Sequence, residues 1–328
     1  MKTVDRRLLA SILIIGSLAA VLLSLSLGSG FISPLALARS LAGERDSFEF
    51  IVLTSLRLPR LCMALAVGAS LAVSGALFQS LLRNPLADPY TIGVSGGASL
   101  GATVAIVASL SAPWIVLAAF SGAVAVVAAV YLLAMRLRLG GTALILGGIA
   151  LSFILSSGVM LLFSLSRAEQ VHRALMWLMG DLGIARYAIL LPGALLALVL
   201  GAAAWLHARR LDILSFGGAF ARGLGVGRAD VARIFWLGSM LAALSVALAG
   251  VIGFVGLIIP HIVRLVSGPA HRRLLPYSAI AGGAFLALAD AIGRALAPPY
   301  EIPAGVITGF FGGIFFLALL LAKGRNEA

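Results

Sequence analysis

Twenty-two consecutive residues without a charge, Leu61 to Leu82, lie between the segments RLPR (Arg57 to Arg60) and RNPLADP (Arg83 to Pro89). A span of about 20 apolar residues is long enough for an α-helix to cross a bilayer. Pro59 falls in the first turn of such a helix, where its missing N–H would have no partner anyway. The run therefore predicts a membrane helix with a polar device at each mouth. The rest of the chain agrees: 61% of residues are hydrophobic, 11% are charged, and the mean hydropathy is +1.11. Those values exclude an ordinary soluble domain. A membrane β-barrel would show segments of about ten residues with alternating polarity, whereas the runs here are long and unbroken. The expected fold class is an all-α polytopic membrane protein.

Apolar runs fall near 8–27, 58–82, 92–110, 113–135, 141–164, 187–206, 232–250, 251–267, 275–293 and 303–322, which predicts ten spans. The count depends on 232–267, too long for one crossing and interrupted by Gly250, Gly253, Gly256 and Pro260. Charge supports the split. With ten spans and both termini in the cytoplasm, inner segments carry 16 of the 24 basic residues, among them Arg83, Arg209, Arg210, Arg222, Arg228, Arg272 and Arg273. Outer segments hold the other eight together with six acids. This is the positive-inside pattern, and fusing spans seven and eight would move Arg272 and Arg273 outward. The net charge of +12 is thus mostly a topology signal and needs no nucleic acid partner. Spans 2–5 and 7–10 would run in opposite orientations, as in inverted repeats. Ser70/Ser245, Gly75/Gly250 and Pro85/Pro260 align between the two sets, a match that chance explains about as well.

Other functions are excluded by what the chain carries. Cys62, the single cysteine, cannot form a disulfide within the chain and reads as a packing residue; four scattered histidines lack metal-ligand spacing. Most of the 38 glycines read as helix-contact residues, since small side chains let membrane helices approach closely. The run Leu8 to Leu27 follows Lys2, Arg6 and Arg7 and resembles a secretory signal, with Ala36-Leu37-Ala38 mimicking a cleavage site. At about 20 residues it is longer than a signal core, and we read an uncleaved first helix.

Three polar devices stand out. Residues 208–229, ARRLDILSFGGAFARGLGVGRA, form the longest inner loop and predict one or two short helices. Asp212 is a plausible N-cap, Phe216, Phe220 and Leu224 recur at four-residue spacing, and Gly223, Gly225 and Gly227 break the pattern. Such a helix either fits a groove in a partner protein or lies flat among headgroups. GLGVGR lacks both the Gly-Lys-Ser/Thr of a P-loop and a preceding strand, so nucleotide hydrolysis would belong to another polypeptide. Asp290 is the one acid deep in an apolar run, and without a visible partner it predicts an interhelical hydrogen bond, as do Gln79 and Ser74. Arg57 and Arg60 share a helical face, and Arg294 ends span nine on the same side. They either snorkel to headgroups or form a basic docking patch.

The segments LRLPRLCMALAVGASLAVSGALFQSLLRNPLADPYTIGVSGGASLGA, GVIGFVGLIIPHIVRL, ALADAIGRAL and EIPAGVITGFFGGIFFLALLL resemble those of the iron-chelate, haem and cobalamin permease family of ABC importers. The resemblance covers almost the whole chain. It implies a single transmembrane permease domain over 1–328 in a bacterial inner membrane. It also implies a second permease subunit, most simply another copy, two ATPase subunits that bind ATP and Mg, and a periplasmic or lipid-anchored binding protein. No cofactor is implied on this chain, and no catalytic residue.

By the same resemblance, Arg57, Arg60 and Arg294 accept acidic residues of the binding protein, and such rim pairs mainly set orientation and on-rate. Asn84 and Leu86 belong to a cytoplasmic gate. The stretch Leu214, Phe216, Phe220, Ala221, Arg222, Leu224 and Val226 couples to the ATPase. Relatives commonly carry an acid at the position of Gly217-Gly218, which this chain lacks, so contact there rests on Phe220 and Leu224. Ser152, Ser156, Ser157, Met160 and Phe163 in span 5 are candidates for the pore lining; ordinary packing would use the same residues. The implied mechanism is alternating access, with the cargo chosen by the binding protein. An ion-coupled secondary transporter is the rival reading. It needs facing ionisable residues at mid-membrane, for which Asp290 alone is a poor candidate.

Overall fold

A computed structural model of the chain describes residues 6–28, 30–36, 39, 47–136, 141–183 and 187–327. Arg45 and Arg186 of the outer charge count, and the Leu37-Ala38 pair, lie outside the described residues. The described chain is helical. Among the described residues, apolar helices lie on the predicted runs: α1 (Arg6–Ser26), α3 (Leu58–Leu81), α4 (Val94–Val107), α5 (Ala112–Arg136), α6 (Gly141–Leu165), α8 (Tyr187–Leu206), α11 (Arg228–Ala249), α12 (Val255–Ser267), α13 (His271–Leu296) and α14 (Ala304–Glu327). Among the described residues six helices are long and apolar enough to cross a membrane, including the continuous stretch Phe48–Leu81. Four shorter apolar helices accompany them, of which Val94–Val107 and Val255–Ser267 are α4 and α12.

Four further elements carry polar segments: α2 (Phe48–Val52), α7 (Ala168–Leu178), α9 (Ala208–Ser215) and α10 (Gly218–Gly223). The helix of RLPR does not begin at Leu58. It begins ten residues earlier in α2 and passes through a π-turn, Leu53–Arg57, before α3. The wider turn accommodates Pro59, which cannot donate to the carbonyl four residues back.

The centre of the molecule is α3, whose side chains from Val67 to Ser80 are buried except at Ala69 and Ala66's side of the helix. It is wrapped by α11, α12 and α13. Contact is backbone to backbone: a Cβ on Gly68 would stand 2.3 Å from the Gly282 carbonyl oxygen, and one on Gly282 would stand 2.4 Å from that of Gly68. Where lipid is as apolar as the side chains, such close approach is a main source of helix association. A second layer, α4 against α5, packs the same way through Gly97 and Gly122.

Prolines inside helices leave carbonyls without partners, and polar side chains of neighbouring helices fill them. Pro276 in α13 frees the Arg272 carbonyl, which accepts from Trp205 Nε1 at 3.0 Å. Pro260 in α12 frees the Gly256 carbonyl; the Gln79 amide reaches it at 3.4 Å and Leu257 O at 3.0 Å. Ser74 Oγ donates to Gly238 O at 2.6 Å, so Gln79 and Ser74 are the interhelical donors the sequence predicts. The long run 232–267 breaks at Gly250–Phe254, where Gly250 has φ 71° and Phe254 φ 68°. Irregular backbone among apolar helices is tolerated where protein covers it; here Gly250 lies so close under the Trp177 carbonyl of α7 that no side chain would fit. The proposed alignment of 70–85 with 245–260 does not hold, because Gly75 lies inside α3 while Gly250 ends α11.

Candidate functional site

At one end of α3 the three arginines converge. Arg57 and Arg294 are only 7% and 6% exposed. Arg57 donates to the carbonyls of Leu25, Ser26 and Gly30. Arg294 donates to those of Ser24 and Leu27, both at 3.0 Å. Two guanidinium groups thus hold the end of α1, whose last carbonyls have no intrahelical donors. Arg60 Nε meets Asp290 at 2.8 Å, its Nη1 meets Glu301 at 2.6 Å, and Arg294 Nε meets the other oxygen of Asp290 at 3.0 Å. Asp290 therefore does not stand alone. Its carboxylate is 2% exposed and bridges two arginines: Arg294, one helical turn along the same helix, and Arg60, which lies 230 positions away and could not be paired with it from sequence. A buried charge needs such compensation. The cluster surrounds a small cavity of about 150 Å³ with Glu301 at its rim.

At the opposite end, α3 runs into a tight loop. Asn84 N–H donates to Gln79 O at 3.1 Å, Asn84 Oδ1 accepts from Leu86 N–H at 2.9 Å, and Asp88 caps a 3-10 turn through Tyr90 N–H at 2.7 Å. Burial pushes the Asp88 carboxyl up to about 6, against the pull of that N–H. Asn84 is exposed and Leu86 half-buried.

Beside this loop lie α9 and α10. Leu214, Ala221 and Val226 are buried, whereas Phe216, Phe220 and Leu224 are 77%, 55% and 55% exposed, and Arg222 faces outward. The Phe216 and Phe220 rings lie against each other at a tilt of 57°, with centroids 5.8 Å apart. The segment is thus anchored on one side and presents a bare apolar ridge on the other. Asp212 is not the N-cap of its own helix. It lies inside α9 and instead caps α13, accepting His271 N–H at 2.9 Å and meeting His271 Nδ1 at 2.6 Å. Burial alone would raise the Asp212 carboxyl, but these bonds outweigh it and hold it below the usual range.

Against this loop, with Asp88 and Tyr90 in its wall, a cavity of about 470 Å³ opens beside α6. Thr91 and Ser95, Ser152, Phe153 and Ser156 of α6, and Gly253, Phe254 and Leu257 around the α11–α12 break line it. Two of the five span-5 candidates therefore face it. Ser157 and Met160 are exposed elsewhere on α6, and Phe163 packs half-buried against the α4–α5 layer. Ser152 Oγ donates to Gly148 O and Ser157 Oγ to Phe153 O, so these hydroxyls are spent on their own helix. Phe254 was not singled out in the sequence, although the break beneath it and the glycines that mark it were. Among the described residues no group of histidines, cysteines and carboxylates could hold a metal ion.

A multi-pass helical bundle with a substrate-sized side cavity and dissimilar polar ends has the build of a membrane transport protein. The chain belongs to the FecCD transport family, whose model matches residues 13–322. It is 38% identical over 327 residues to the hemin transport system permease protein HmuU of Yersinia pestis, covering 96% of this chain and 97% of that one. It is 42% identical over 281 residues to the cobalamin import system permease protein BtuC of Halobacterium salinarum, covering 82% and 73%. Among solved structures, an inward-facing conformation described as of a metal-chelate type ABC transporter matches with TM-score 0.86 and 32% identity over 97% of this chain and 100% of that one.

Proposed function

We propose that this chain is the permease subunit of an ATP-driven importer that passes an iron chelate, with a siderophore first and haem or cobalamin next, into the cytoplasm by alternating access. The observation that carries this reading is the ridge Phe216–Phe220–Leu224: three large apolar side chains bare to solvent on a segment otherwise packed into the bundle. Such a face calls for a partner groove, and relatives similar to this chain over most of its length are named as permease proteins of hemin transport and cobalamin import systems. In the assembly, two permease copies enclose the path, two ATPase subunits bind ATP and Mg at the α10 end, and a periplasmic or lipid-anchored binding protein docks at the Arg60 end. Both termini lie in the cytoplasm of a bacterium with the bundle in its inner membrane. Asn84 and Leu86 close the path below the cavity at Ser152 and Ser156. The cavity presents mostly apolar surface and the Ser152 hydroxyl is spent on its own helix, which suits a conduit that leaves cargo choice to the binding protein.

Asp290 does not favour the ion-coupled alternative, because its carboxylate is committed to two guanidinium groups. The test is reconstitution of the permease with its ATPase and binding protein in liposomes. ATP-dependent uptake of a ferric chelate is the expected result, and Phe216→Asp with Phe220→Asp should abolish co-purification of the ATPase. Uptake by the permease alone, driven by an ion gradient, would overturn the reading.

A further inference from the structure

We propose that His271 is the joint through which α9 moves the loop after α3, so that ATP turnover and passage stay in step. The inference rests on the importer reading above. His271 is the first residue of α13 and is 2% exposed. Its ring reaches in two directions. Nδ1 meets the Asp212 carboxylate of α9 at 2.6 Å, and the same oxygen takes the His271 backbone N–H at 2.9 Å. Nε2 contacts Ser80 Oγ in the last turn of α3 and, with the ring proton on Nδ1, accepts from the Ser80 hydroxyl, whose oxygen also lies 2.9 Å from Ala76 O. Four residues beyond Ser80 the chain reaches Asn84, held to Gln79 O. One imidazole therefore stands between the segment that carries the bare ridge and the helix that feeds the loop at Asn84 and Leu86.

The chemistry fits a rigid link. A ring nitrogen facing a carboxylate carries its proton, so Nδ1–H donates to Asp212 and the ring orientation is fixed. Apolar contacts of Ala208, Leu211 and Leu214 also press α9 onto the bundle, but such contacts are non-directional and slide at little cost. Hydrogen bonds weaken steeply with angle, and a charge-assisted one in buried surroundings resists displacement most. The start of α13 is itself pinned, because Arg272 lies over the Trp205 ring at 5.5 Å while its carbonyl takes the indole N–H. The joint thus turns about a fixed point, and a shift of Asp212 is passed to Ser80 rather than lost in α13.

The two arms can be cut separately. Asn in place of His271 keeps a donor near the Nδ1 position, and Gln keeps a polar group near Nε2; Ser80→Ala and Asp212→Ala remove one far partner each. In liposomes holding the full complex, ATP hydrolysis and chelate uptake are measured side by side. Each of the four variants should keep the ATPase rate of the assembled complex and lose uptake per ATP by about tenfold, the scale of one charge-assisted hydrogen bond. The Ser80→Ala/Asp212→Ala double variant should lose no more than either single change, because a chain broken once is already broken. Hydrolysis and uptake falling in proportion, an unchanged ratio, or additive losses would each overturn the joint. Thermal unfolding of Ser80→Ala, the smallest change, separates uncoupling from misfolding: an unfolded Ser80→Ala chain also counts against it. A wild-type complex without ATP-driven uptake would instead sink the importer reading itself.

Discussion

Arg60 holds one buried and one rim carboxylate at once, and only the second is exchangeable. Asp290 is shared with Arg294 deep in the cluster, whereas the Glu301 side chain is 45% exposed. An acidic residue arriving from a binding protein would compete with Glu301 for the same guanidinium. Glu301→Gln should therefore tighten docking of the binding protein, by up to about fivefold given that exposed ion pairs contribute about 0–1 kcal/mol. Measuring the dissociation constant in nanodiscs at low and high salt checks this, and weaker docking would count against Arg60 as a docking residue. Removing Asp290 is a different matter. Asp290→Ala leaves two buried arginines facing each other and should cost about 3–5 kcal/mol, seen as a loss of folded protein in detergent. The arginine cluster was legible from the spacing of Arg57 and Arg60, but the pairing of Arg60 with Asp290 was not, since the two lie 230 positions apart.

Among the elements, α3 shows how little room the packing leaves. A Cβ on Gly75 would lie 1.8 Å from the Gly256 carbonyl oxygen, and backbone cannot step aside as a side chain can. Gly75→Ala should therefore lower stability by about 1–3 kcal/mol, the usual cost of overpacking. Gly201 on α8 has open space at the same position, and Gly201→Ala should leave the unfolding temperature unchanged or higher. Thermal unfolding of both variants in the same detergent decides; equal melting would show that α3 and α12 are not in contact there. Helix positions were legible because hydrocarbon demands long apolar runs. What the runs did not reveal was α7, which is amphipathic and short, or the start of the RLPR helix at Phe48, which Arg57 and Arg60 separate from the long apolar run.

For the whole molecule, the proposed topology sets the two polar ends in different compartments. In a Cys62→Ala background, Tyr300→Cys should react with a membrane-impermeant maleimide on intact spheroplasts, and Phe220→Cys only after permeabilisation. Both positions are well exposed, at 79% and 55%. Labelling of both from one side would refute the ten-span arrangement with its termini inside.

Sequence by itself determined that this chain lives in a membrane, where its helices run, that 232–267 must break, and which basic residues gather at which end. Each follows from the solvent: apolar length, broken periodicity and charge are read one segment at a time. Tertiary structure decided which carboxylate answers Arg60, which indole fills the carbonyl freed by Pro276, which helix Asp212 caps, and which serines face the cavity. Those pairings depend on how helices cross and rotate, and contacts between residues far apart in the chain are set by packing rather than by local pattern.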